Sequence, residues 1–177
     1  MVLTRAGDGA RRDAIIGAAW TCFLQHGYAK TSLGDVARRA GLCRPLIYRY
    51  FAGKERLFSA VILSRMEENF RRAQTCLASG LDRHGKLLQV LEVWLLQPLA
   101  EVAGAPQGGD LFEQALTLTP EIHEQHHALT RELLRELIAD ETAADVFRLA
   151  LKGLLVDHPP PETLRARVSV LAARFVI

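Results

Sequence analysis

The chain has 177 residues, 49% of them hydrophobic and 24% charged, which is enough apolar content for a packed core and too little polar bias for disorder. No run of about 18 apolar residues is present, so no membrane-spanning helix is expected, and the opening residues lack the apolar centre of a secretory signal, which points to a cytoplasmic protein. Net charge is +2 but unevenly spread: residues 1–56 carry ten Lys and Arg against four Asp and Glu, a net +6, leaving −4 for the remainder. A basic head on an acidic body suits a polyanionic partner for the head alone. Cys22, Cys43 and Cys76 form no C-x-x-C pair, which argues against a disulfide framework and against structural zinc.

Apolar residues recur at helical spacing almost throughout, and no strand-like alternation of useful length is found. The first helix is expected from Gly9 to His26, with Ile15, Ala19, Cys22 and Phe23 on one face and Gly27 as its stop. Thr31 or Ser32 caps a second helix, with Asp35 suited to its positive end and Val36, Ala37 and Ala40 facing inward. Gly41 ends that helix early, Leu42 acts as an apolar staple, and a third helix runs from Cys43 to Tyr50 with Pro45 in its first turn. Two short helices about a glycine turn are the helix-turn-helix arrangement. Lys54 opens a long fourth helix reaching Ser79, with Leu57, Val61, Met66 and Phe70 as apolar positions.

Gly80 and Gly85 mark a joint. Leu87 to Ala103 reads as an apolar helix kinked at Pro98. A loop is expected from Gly104 to Gly109, then a short helix capped by Asp110 and ending near Thr119. Glu121 to Ala139, Glu141 to Asp157 and Pro161 to Ile177 complete the set, the last two split by His158-Pro159-Pro160. The fold class is therefore all-α, with about nine helices: a helix-turn-helix head over residues 1–53 and a helical body over 54–177.

The segment from Arg12 to Val61 resembles the DNA-binding head of TetR-family repressors. The matching features are the Ile15, Ala19 and Phe23 face, then Gly27-Tyr28, Thr31-Ser32, Val36-Ala37, Ala40-Gly41, Ile47-Tyr48, Tyr50-Phe51, and Lys54-Glu55 with Leu57. The resemblance implies that Arg44, Pro45, Leu46, Tyr48, Tyr50 and Lys54 face double-stranded DNA. The side chains suit that role. Arg44 can bond guanine bidentately, Pro45 and Leu46 can pack on thymine methyls, and Tyr48, Tyr50 and Lys54 can reach phosphates. Thr31 or Ser32 is a further phosphate candidate, and Arg49 can reach the DNA backbone. Two positions depart from the family pattern: Cys43 stands where a serine commonly caps the recognition helix, and Leu46 where a small or hydroxylated residue is usual. A thiol at a helix N-terminus makes redox sensing by Cys43 a further reading.

The resemblance also implies a homodimer joined by the last two long helices, here through Val146, Leu149, Ala150, Gly153, Leu154, Leu164, Val168, Leu171 and Phe175. It implies an effector pocket in the body, with Phe70, Trp94, Leu95, Pro98, Phe112, Leu116 and Leu133 as candidate lining for an unknown small apolar ligand. Ligand binding would shift the fourth helix and respace two heads on a palindromic operator, with repression as the family's default. No catalytic motif is recognised, so no enzyme and no cofactor are expected. Three alternatives stand beside this reading. His123-Glu124-Gln125-His126-His127 contains H-E-x-x-H, the pattern of a small zinc hydrolase. A metal-responsive regulator using His123, His126 or His127 is a milder version of that reading. A body with no ligand would give a constitutive DNA-binding protein.

Overall fold

The computed structural model describes residues 4–175. Among them run α1 (Thr4–Lys30), α2 (Leu33–Ala40), α3 (Arg44–Tyr50), α4 (Lys54–Leu77), α5 (Arg83–Leu91), a π-helical turn (Glu92–Leu96), α6 (Gln97–Ala103), α7 (Gly108–Leu118), α8 (Pro120–Arg135), α9 (Glu141–Gly153) and α10 (Pro161–Phe175). The described residues form no strand, so the all-α expectation holds. The backbone groups into two compact units, Met1–Arg65 with Gly104–Ile122, and Met66–Ala103 with His123–Ile177.

Local chemistry explains the joints of the first unit. Gly27 takes φ 77°, a region that glycine alone enters freely, and α1 breaks there rather than stopping outright. Ser32 resolves the choice of cap for α2: its hydroxyl accepts from the Asp35 N–H while the Asp35 carboxylate accepts from the Ser32 N–H, a reciprocal box. Gly41, at φ 66°, closes α2 left-handed; its own N–H reaches the Arg38 carbonyl and the Leu42 N–H reaches that of Ala37. Cys43 makes no side-chain cap, and α3 has seven residues, too few to stand alone.

Burial supplies what propensity does not. Ile15, Ala19, Cys22 and Phe23 of α1 pack with Leu33, Val36 and Ala37 of α2, Ile47 of α3, Phe51, Leu57, Phe58 and Val61, and Leu111 of α7 joins the same core. At its centre three rings meet: Phe23 and Phe58 edge to face at 5.2 Å, Tyr28 and Phe58 at 4.9 Å.

In the second unit the kink expected at Pro98 takes a specific form. Pro98 has no N–H for the Trp94 carbonyl and its ring crowds that carbonyl. The helix widens just before it, and the Gln97 N–H bonds the Glu92 carbonyl five residues back. The helix ahead of this turn begins earlier than expected, because Asp82 accepts from the Gly85 N–H at 2.7 Å and makes Gly85 part of the first turn. The loop after α6 is shorter than expected: α7 opens at Gly108, so Asp110 lies inside the helix and is not its cap. α10 packs on α5, α6, α9 and the π turn. Arg165 of α10 clasps Glu92 with two bonds of 3.0 and 3.1 Å.

Phe23→Ala should lower the unfolding free energy by about 3–5 kcal/mol, because its ring is fully buried and its neighbours relax only partly into the space it leaves. Ser32→Ala should cost about 1 kcal/mol through loss of the cap. Urea unfolding followed by circular dichroism measures both; equal effects from the two changes would contradict the packing described.

Candidate nucleic-acid interface

The face of α3 turned away from the core carries Arg44, Pro45, Tyr48 and Arg49, all exposed, with Leu46 half-buried beside them. Ile47 is fully buried on the opposite side, which fixes this orientation. Tyr48 keeps 48% of its surface open. The Arg44 guanidinium donates to the Tyr48 hydroxyl at 3.2 Å and lies 5.7 Å from the ring centroid, so the two form one polar, cationic ledge. Each retains free hydrogen-bonding capacity: guanidinium N–H groups on Arg44 and the hydroxyl proton on Tyr48.

Three expected phosphate contacts are engaged by partners within the head. Thr31 is only 2% exposed, and its hydroxyl bonds the Gly27 carbonyl at 2.7 Å and the Cys22 carbonyl at 3.2 Å. It closes the break in α1 and offers no side-chain donor to solvent. The Ser32 hydroxyl is committed to the Asp35 carboxylate at 2.6 Å. These bonds hold the Asp35 carboxyl below its ordinary range. Tyr50 donates its phenol to Asp8, 42 residues earlier, at 2.7 Å. That bond raises the Tyr50 phenol above its ordinary value. A phosphate would have to displace Asp8 to receive this proton.

Lys54 is engaged within the head. Its ammonium donates to the carbonyls of Tyr28 and Ala29 at 2.9 and 3.2 Å and lies 4.4 Å from the Tyr28 ring centroid. Two of its three N–H groups thus tie α4 to the end of α1, and one remains for an anion. The cations that sequence reasoning missed are on α2. Arg38 is exposed and pairs with Asp35 at 3.3 Å, and Arg39 reaches Gln25. The Arg-Arg dipeptide after the inward Val36-Ala37 pair was the available signal. Beside them a polar cleft of about 360 Å³ is lined by Gln25, His26, Lys30, Asp35 and Gln107.

The candidate pocket residues have varied settings. Leu116 belongs to the first unit and is exposed, and the Phe112 side chain lies outside the described residues. Phe70, Trp94, Leu95, Pro98 and Leu133 belong to the second unit. Trp94 donates its indole N–H to Thr130 at 2.9 Å, meets Phe70 edge to face at 5.7 Å, and stacks flat on His126 at 4.5 Å. Nothing in the sequence signalled the stacking on His126. His126 therefore does not join His123 and His127 in a metal triad, and no group of three His, Cys, Asp or Glu side chains among the described residues is placed to hold a metal. The zinc hydrolase and the three-histidine sensor lose their geometry here.

Burial first, then the neighbouring His127 and His123, push the His126 imidazole down to about 4. The unfolded chain takes up the proton from about pH 6.5 and the folded chain only near pH 4, so the stability held above pH 6.5 is lost as pH falls through that window. Thermal unfolding between pH 7 and pH 4 should show a loss on the order of 3 kcal/mol from this group. His126→Leu should flatten that segment of the profile; an unchanged pH dependence in the variant would refute the assignment.

Residues 15–61 match the sequence model described as bacterial regulatory proteins, tetR family. The helix-turn-helix transcriptional repressor KstR2 of Rhodococcus jostii is 28% identical over 82 residues, 46% of this chain and 40% of that protein. The repressor ComR of Escherichia coli is 45% identical over 51 residues, 29% of this chain and 24% of that protein. These alignments thus span less than half the length of those relatives. A solved transcriptional regulator from Rhodococcus superposes over 93% of this chain and 95% of its own, with a TM-score of 0.71 at 21% identity, which speaks to fold. The head just described coincides with the segment that matches the tetR-family sequence model.

Proposed function

We propose that the protein is a DNA-binding transcriptional regulator that acts as a homodimer on an inverted-repeat operator. The observation that carries this is the ledge of Arg44 and Tyr48 on a helix whose opposite side, Ile47, is locked into the core. A side chain presented from an immobilised helix can discriminate base edges, which a loose one cannot. Arg49, Arg38, Arg39 and the spare N–H of Lys54 would supply backbone contacts, which position the head without reading sequence. The relatives KstR2 and ComR are named repressors, which favours repression.

The dimer reading rests on α9 and α10. Val146, Leu149 and Val170 are 49%, 51% and 64% exposed, whereas Leu164 and Val168 are buried within the protomer. A twin would therefore meet Val146, Leu149 and Val170, with Ala150, exposed Gly153, Leu154, Leu171 and Phe175 at the margins; Leu164 and Val168 would support the face from beneath. Two identical heads set by a two-fold axis match two half-sites one DNA turn apart. The effector would be a small apolar molecule received beside Trp94 and Phe70, where the π turn leaves the backbone out of regular register. Such a ligand changes DNA affinity only as far as it prefers one conformation over the other.

Binding to the duplex flanking the protein's own gene, measured by gel shift at fixed salt, tests the reading. Arg44→Ala should weaken the complex by about 10–100-fold, as expected for one bidentate base contact. Tyr50→Phe should change affinity by less than about 3-fold while costing the head about 1 kcal/mol, because its phenol serves Asp8. Equal losses from both would mean that the ledge has no special part. Salt-sensitive smearing without a discrete complex would leave only nonspecific binding.

A further inference from the structure

On α8, His123 and His127 stand one turn apart, and their Nε2 atoms lie 3.0 Å from each other with ring centroids 4.4 Å apart at 74°. Helical spacing brings only the Cβ atoms near, about 5–6 Å apart; the rotamers must then converge for the nitrogens to meet. His126, next in sequence, is stacked on Trp94. Two metal–nitrogen bonds of about 2.0–2.1 Å, meeting between a right angle and a tetrahedral one, put their nitrogens about 2.8–3.4 Å apart. The observed separation falls in that range, near its right-angled end.

We propose that His123 and His127 form a two-histidine site for a divalent transition ion, copper(II) foremost, with water completing the coordination. Copper(II) accepts cis imidazoles at a right angle and leads the divalent series in affinity for nitrogen ligands. Partial burial, then His123, Lys152, Arg148 and Arg131, hold the His127 imidazole below its ordinary value, which keeps it in the neutral form that a metal requires. The same cations oppose a dication, so the affinity is modest. When both rings are neutral and metal-free, one Nε2 donates its proton to the other. On binding, each ring carries its proton on Nδ1, so the donor ring changes tautomer and no net proton is released.

Copper(II) alone, titrated into the full chain, tests the site. Calorimetry should give one ion per chain in the first transition, with two imidazole nitrogens in the electron paramagnetic resonance spectrum. His123→Gln and His127→Gln should each weaken that step at least about 10-fold, and His84→Gln should not. In the parent protein, substoichiometric copper should broaden the ring resonances of His123 and His127 before those of His26, His84 or His158. A double variant that binds the first ion as the parent does, or broadening that begins at another histidine, would reduce the pair to an adventitious contact and overturn the proposal. Neither readout involves DNA, so failure here would leave the regulator reading untouched.

Discussion

Phe23, Tyr28 and Phe58 meet ring to ring, and the rest of the head depends on that meeting. A helix of seven residues has no stability of its own in water, and α3 additionally lacks a side-chain cap because Cys43 cannot supply one. It exists because Ile47 and Phe51 are drawn into the core that these rings build. The rings in turn need α1 to break at Gly27, so that Tyr28 can turn back toward Phe58. The Thr31 hydroxyl closes the break, and the Lys54 ammonium rests on the two carbonyls beyond it. The basic surface of the head is thus partly structural. The Arg44–Tyr48 ledge is a polar part of it that packing leaves open to a partner.

The second unit follows a different constraint. Pro98 forbids a regular helix, and the resulting π turn sends Trp94 inward to Thr130 and His126 while Glu92 meets Arg165 on α10. Packing and charge are thereby tied to one irregular turn. π-Helical turns inside α-helices are frequent at functional sites, and this one lies beside the aromatic cluster that is the strongest candidate for receiving an effector.

Features governed by neighbours in sequence were legible. Ser32 with Asp35, Gly41 and Pro45 act through backbone geometry within a few residues and have the predicted effect on their helices, whereas Gly27 breaks α1 without stopping it. The inward faces of α1 and α2 followed from periodicity alone. What stayed hidden were the destinations of polar side chains. Nothing near Tyr50 announces Asp8, nothing near Lys54 announces the carbonyls of Tyr28 and Ala29, and Thr31 reads the same whether its hydroxyl faces solvent or the backbone. The helical stripes of α9 and α10 were visible too. Periodicity could not say that Leu164 and Val168 face inward while Val146 and Leu149 face out, because it marks an apolar stripe and not what covers it.

The central claim is that this head reads sequence through the exposed side of α3. Selection from a library of random duplexes with the purified protein tests it most directly, since it presumes no operator. The account predicts that one inverted-repeat motif is enriched, with half-sites about one helical turn apart, and that Tyr48→Ala abolishes the enrichment. A library that emerges without a motif, or a motif unaffected by changes at Arg44 and Tyr48, would contradict it.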